Sequence, residues 1–262
     1  MRVKKQKHIP VNISNDHDKL IEEYTFLYQQ FKKRTYYEVL AVDFSASEKQ
    51  IKHAYNVFAK QFHPEKFTHT GNEKLIKIVT AISTLFLKAC EGLIRMRTNA
   101  IYTRKDKDGK IDTSNILNSE TLESEAQKFA EQDKFQDAII SIVQAINLQP
   151  SKLDLQIDLA WYRYNTDPEK EKPNSLELIQ RMINYHKRMA KAFYYKGKIL
   201  KLSGDLDRSL RSFERYLKLN PKDIEAQREI KLLSQRIVEL NRPWYEKFWN
   251  KSIDFFANLR QD

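Results

Sequence analysis

Cysteine occurs once in this chain, as Cys90, and that scarcity removes several classes of protein. An intramolecular disulfide needs two cysteines, and a cysteine-based metal cage needs more. Cys90 reads as a buried structural thiol in a reducing compartment, because nothing near it in sequence looks like an activating base. Glycine and proline are also scarce, 5 and 7 in 262 residues, while Leu, Ile, Lys, Glu and Ala recur everywhere. That mixture favours helix over strand. No window approaches the roughly 18 consecutive apolar residues of a membrane span. The basic start MRVKKQKHIPVNIS is followed by no apolar run, so a secretory signal is not expected. There is no Gly-rich phosphate loop and no Ser-His-Asp order with a nucleophile elbow. His63 and His69 have no third ligand in evidence, so no metal is expected. The stretch DKDGKID (106–112) lacks the distal Glu of a calcium loop and reads as solvated linker. The expectation is a soluble, cytoplasmic protein, and no motif points to catalysis or to a cofactor.

What is present is positive charge, placed unevenly. The chain carries a formal net charge of +11. Residues 1–110 hold 21 Lys and Arg against 12 Asp and Glu; residues 111–262 hold 25 against 23. The first part is therefore basic and the second near neutral, which suggests an acidic partner for the first part.

Helical periodicity organises the chain. Residues 1–15 read as a flexible basic arm. Leu20, Tyr24, Leu27, Tyr28 and Phe31 then share one helical face. Thr35 with Glu38, and Ser47 with Gln50, have the spacing of capping boxes and mark two helix starts. After the second, Ile51, Ala54, Tyr55, Phe58 and Phe62 form an apolar stripe that ends before Pro64. A loop through Gly71 and Asn72 leads to a long helix with Leu75, Ile78, Ile82, Leu85, Ala89 and Leu93 inward. Residues 103–118 are polar, contain Gly109, and are expected to be the linker between an N-terminal part, 16–102, and the rest.

The second half repeats itself. AINLQP and YLKLNP end two similar segments, and Pro150 and Pro221 stand 71 residues apart, twice 34 plus three. A 34-residue period is the tetratricopeptide spacing, a helix–turn–helix unit that stacks on its copies. Registered on the prolines, Ala126, Phe129, Ala138, Ile142 and Ala145 correspond to Gly197, Leu200, Ser209, Phe213 and Tyr216. Three repeats are expected over 119–223: 119–152, a divergent 153–189, and 190–223. The divergent copy has Lys187 at the final proline position, and its three extra residues fit a turn at NTDPEKEKP. Residues 224–262 are expected to supply a polar-faced capping helix and an aromatic C-terminal helix. In that helix Trp249, Ile253 and Phe256 form a stripe, with Tyr245, Phe248 and Leu259 beside it. It reads as a helix packed on the body of the protein, with a membrane-surface or partner-binding helix as the alternative.

YYEVLAV, IKHAYNVFAKQFHPEKF and KIVTAISTLF follow the aromatic and aliphatic spacing of a known family, and residues 35–89 resemble the J domain of DnaJ-like co-chaperones. With the repeats, most of residues 16–223 resemble bacterial proteins in which a J domain precedes tetratricopeptide repeats. The resemblance implies an all-α fold: a J-like helical hairpin domain followed by a tetratricopeptide α-solenoid. It also implies that the J loop and the basic face of its second helix dock on a DnaK-type chaperone and stimulate that partner's ATP hydrolysis. Carried onto this sequence, the loop is His63, Pro64 and Glu65, and Lys49, Lys52, His53 and Lys60 supply the basic face.

The match has departures. The family's loop ends in Asp, whereas Glu65 adds a methylene and a rotatable bond. Ala41 replaces the usual Gly after the first helix, and Asn56 and Val57 stand where further basic residues are common. An interaction scaffold with a degenerate J domain is therefore the competing expectation. In the repeats, first-helix positions are expected to line a partner-binding groove: Glu123 and Gln127, then Asp158, Trp161 and Tyr164, then Lys191, Tyr194, Tyr195, Lys198 and Lys201. Aromatic residues flanked by Lys suit recognition of a protein or peptide. Nucleic acid is disfavoured as a partner, because J domains are electropositive for another reason.

Overall fold

The computed structural model describes residues 17–97 and 114–242, and twelve helices order the described residues. The expected basic arm, most of the expected linker and the aromatic C-terminal stripe lie outside them. The chain divides into two compact units. The described part of the first runs as far as Leu122 and includes Val143–Ser151; the second comprises Glu123–Ile142 and the residues from Lys152 onward.

The first unit contains α1 (His17–Lys32), α2 (Tyr36–Val39), α3 (Glu48–Gln61), α4 (Glu65–Thr68) and α5 (Glu73–Arg97). Both expected capping boxes form. Thr35 and Ser47 each accept from the backbone three residues on, and Glu38 and Gln50 reach back to the cap backbone. Each box satisfies two amides that a helix start leaves without partners. The core is aromatic. Phe86 of α5 stacks on Phe58 at 4.4 Å and meets Phe31 and Phe62 at 5.2 and 5.7 Å between ring centroids. The buried stripe of α5 is Leu75, Val79, Ile82, Phe86, Ala89 and Leu93. Ile78 and Leu85, expected inward, are only half-buried. Apolar residues are adjacent at 78/79 and 85/86, so periodicity alone does not choose between them; packing against the facing helices puts Val79 and Phe86 inward.

Two further expectations change. The loop after Pro64 contains the short helix α4, with Phe67 buried. The stretch 103–118 is helical from Ser114, where α6 begins. Residues 114–118 contain neither Gly nor Pro, so their polarity alone does not end a helix.

Ala41 lies in the left-handed region at φ 52°. Val42 N–H donates to the Tyr37 carbonyl at 2.9 Å and closes the turn after α2. Glycine is the residue that such a turn favours. Ala41→Gly is expected to raise stability by about 0.5–1 kcal/mol, read as a higher urea midpoint at unchanged slope.

Second-unit helices come in antiparallel hairpins: α8 (Asp154–Thr166) with α9 (Pro168–Tyr185), α10 (Ala190–Leu202) with α11 (Leu206–Leu219), then α12 (Ile224–Asn241). The helices α6 (Ser114–Glu131) and α7 (Phe135–Leu148) precede them. The 71-residue register has structural content. Asp133 and Gly204 occupy equivalent turns with φ 57° and 78°. In both turns the next amide reaches back five residues, Lys134 to Phe129 and Asp205 to Leu200, at 2.9 Å. The equivalent positions Ala126 and Gly197, Ala138 and Ser209, and Ile142 and Phe213 are all buried. The expected turn over 165–173 shrinks to Asp167. Helix α9 starts at Pro168, where the missing amide has no helical partner anyway, and runs on through Pro173. The extra residues lengthen α9 to 18 residues against 14 in α7 and α11.

Candidate functional site: a His-Pro-Glu turn and an aromatic patch

In the first unit, the site begins where α3 stops. Pro64 carries no amide hydrogen and fixes φ at −55°. The turn closes through Lys66 N–H to the His63 carbonyl at 3.1 Å and Phe67 N–H to the Pro64 carbonyl at 2.9 Å. Phe62 and Phe67 flank the tripeptide, are both buried, and both meet the Tyr24 ring edge-on at 5.7 and 6.0 Å. Two anchored rings thus hold the exposed residues between them in a fixed turn. The Glu65 side chain is 87% exposed, with its Oε2 3.5 Å from His63 Nδ1. It lies beside the imidazole and extends into solvent.

His53, Lys60, His63 and Glu65, all expected from sequence, line one shallow depression. Asn56, Val57 and Lys66 line it too. Lys66 was not anticipated; its place directly after the tripeptide is the signal that would have found it. Lys49 and Lys52 are exposed on α3 but do not line the depression, and Lys52 is paired with Glu48 at 2.5 Å. Tyr24, which belongs to α1, was expected only as a core residue.

In the second unit, several of the first-helix positions named from sequence lie against one another. Trp161 stacks on Tyr195 at 5.2 Å and on Tyr164 at 6.0 Å. Trp161 and Tyr195 are 34 residues apart, so equivalent positions of successive hairpins meet. Lys198 Nζ lies 4.8 Å above the Trp161 ring and 5.4 Å above the Tyr194 ring, a cation–π arrangement. Tyr194 hydroxyl donates to Glu225 Oε1 at 3.0 Å. Burial pushes the Tyr195 hydroxyl up to about 12, with Asp158 adding to the effect, so it stays a neutral donor at physiological pH. The patch is not uniformly open: Asp158 and Tyr164 are buried, while Trp161, Tyr194, Tyr195 and Lys198 are half-buried. Lys191 and Lys201 are held by Asp158 and Glu229, each at 2.6 Å. Glu123 pairs with Lys152, and Gln127 donates to Glu131.

Burial pushes the Asp158 carboxyl up to about 6, against the pull of Lys191. A raised folded value means that the group's contribution is fully present below about pH 4 and is lost as pH rises through 6. Wild type is therefore expected to lose on the order of 2 kcal/mol relative to Asp158→Asn between pH 4 and 7, measured by urea unfolding across that range.

Among the described residues, no group of three or more His, Cys, Asp or Glu is placed to hold a metal ion, and no helix is long and apolar enough to cross a membrane.

The DnaJ domain family matches residues 35–88. The chaperone protein DnaJ of Mesoplasma florum is 40% identical over 57 residues, 22% of this chain and 15% of that protein. The DnaJ of Fusobacterium nucleatum subsp. polymorphum is 57% identical over 43 residues, 16% of this chain and 11% of that one. The chain thus spans only a small fraction of these relatives' length. Among solved structures, a crystal structure of MamA is 21% identical, covering 65% of this chain and 97% of that one with a TM-score of 0.38. The first tetratricopeptide domain of Spaghetti (RPAP3), solved bound to an HSP90 peptide, is 20% identical, covering 47% and 94% with a TM-score of 0.39. The tripeptide His63-Pro64-Glu65 lies inside the residues that match the DnaJ domain family, and helical hairpins of tetratricopeptide-like spacing follow among the described residues.

Proposed function

We propose that the protein is a cytoplasmic, non-enzymatic co-chaperone-like adaptor. Its DnaJ domain docks on a DnaK-type chaperone through His63, Pro64, Glu65 and the cations of α3, Lys49, Lys52, His53 and Lys60. Its first-helix patch, Trp161, Lys191, Tyr194, Tyr195, Lys198 and Lys201, supported by the buried Asp158 and Tyr164, holds a protein or peptide partner. The observation that carries the reading is the rigid presentation of the tripeptide between two anchored phenylalanines. An exposed carboxylate at the tip of a fixed turn suits a charge-assisted bond to a partner's guanidinium. The stacked aromatics and Lys198 offer the amphipathic, low-entropy surface that binding hot spots use.

One observation favours a second reading, a scaffold whose J loop no longer stimulates ATP hydrolysis. The Glu65 carboxylate is one methylene farther out than an aspartate and rests beside His63. The deciding experiment mixes the full chain with a DnaK-type chaperone and follows single-turnover ATP hydrolysis. Stimulation that disappears in His63→Gln supports docking. No stimulation by wild type or by Glu65→Asp would sink it.

A further inference from the structure

On the second-helix side of the second unit, α9, α10 and α11 enclose a depression of roughly 750 Å³. Five of its lining residues are cationic: Lys187, Lys196, Arg208, Arg211 and Arg215. Arg208 is paired with Asp205. No carboxylate of the described residues is paired with any of the other four. Lys196 Nζ donates to Gln180 Oε1 at 2.7 Å, a neutral acceptor. On the first-helix side the pattern is reversed: Lys152, Lys191 and Lys201 each have a carboxylate partner. Among the described residues, three carboxylate-paired lysines thus lie on the first-helix side, whereas Lys187, Lys196, Arg211 and Arg215 gather in the concavity without one.

Unmatched cations brought together repel one another and gain when an anion enters. Lys196 carries that strain: burial and the neighbouring Arg208 both push its amine below the usual lysine range.

We propose that this depression is a docking site for an acidic peptide segment of a partner protein, distinct from the aromatic patch and independent of the J loop. Guanidinium groups bind carboxylates bidentately. Arg208, Arg211 and Arg215 lie along one face of α11, stepping about 4.5 and 6 Å along its axis. Alternate residues of an extended peptide step about 6.6 Å, close to the step from Arg211 to Arg215, so two successive acidic side chains meet that pair, while Arg208 is already engaged by Asp205. Ile183 and Phe193 give the depression an apolar part that accepts a side chain between the acids. A single-stranded nucleic acid fits less well. It calls for a longer cationic track with several aromatic ledges for successive bases, and Phe193 is the one aromatic lining residue.

The test uses the full chain and a fluorescein-labelled peptide of about nine residues with Glu at alternate positions. Its Gln counterpart and an oligo(dT) of the same length serve as comparison probes, read by fluorescence anisotropy. Arg211→Gln/Arg215→Gln is expected to weaken the Glu peptide about tenfold or more. The charge-matched control Lys231→Gln/Arg236→Gln, on the exposed face of α12, is expected to leave it within about twofold, as weak surface electrostatics would. Circular dichroism confirms that both variants are folded. Equal losses in the two variants would overturn the proposal, as would equal binding of the Gln peptide. Tighter binding of oligo(dT), lost with the same two arginines, would replace it with a nucleic-acid site.

Discussion

Glu65→Asp is expected to raise stimulation of a DnaK-type ATPase by about tenfold or more over wild type, because displacing a coupling group by about 1 Å can cost that much or more. Nothing else in the turn needs to change. Pro64 already fixes the backbone, and the hydrogen bonds from Lys66 and Phe67 that close the turn use only main-chain atoms. Shortening the side chain draws the carboxylate back by one methylene and removes a torsion that docking would have to freeze. His63→Gln placed on top of Glu65→Asp should abolish the gain, because both residues face the same depression. Single-turnover hydrolysis at saturating J protein separates this from mere tighter binding. If the two proteins stimulate equally, the extra methylene is accommodated, and the degenerate-loop reading fails.

Phe213→Ala is expected to cost the second unit about 3–5 kcal/mol, the usual toll of truncating a fully buried ring. Against a typical total stability of about 5–15 kcal/mol, that is a large share. Phe213 sits in a buried cluster with Leu206 and Leu233, flanked by Tyr194, Leu210, Ile230 and Ile237. Its ring also meets Tyr194 edge-on at 5.8 Å. The loss should therefore reach the aromatic patch and loosen the ring beneath Lys198. Urea unfolding gives the first effect; partner binding, once a partner is in hand, gives the second.

Gly197 makes the same packing testable from the other side. A Cβ there would lie 2.9 Å from the Phe213 ring. In an open helix Gly→Ala stabilises by about 1 kcal/mol; here Gly197→Ala should destabilise by about 1–3 kcal/mol through overpacking. The first repeat solves the same register with Ala126 and Ile142, both fully buried. Adding Phe213→Ile to Gly197→Ala should accordingly recover part of the loss. Strictly additive effects would mean that the two positions do not compete for space.

Much of this was legible before any coordinates. The capping boxes at Thr35 and Ser47 fixed two helix starts, since both partners lie within one turn of chain. The 71-residue spacing of the prolines paired Ala138 with Ser209 and Ile142 with Phe213. The tripeptide was visible because Pro64 ends a strongly patterned helix. Local hydrogen bonding and helical period decide each of these features, so the sequence by itself determined them.

Tertiary structure decided the rest. Val79 and Phe86 point inward rather than Ile78 and Leu85, because the facing helices select one of two adjacent apolar residues. Tyr24 braces the His63-Pro64-Glu65 turn from another helix. Asp158, drawn from sequence as an exposed groove residue, is buried against Lys191. The basic depression collects Lys187, Lys196 and Arg211 from three separate segments whose local patterns give no reason to converge. Period and spacing say which face a residue occupies; which neighbours that face meets, and which charges are left without partners, depends on packing between elements distant in the chain.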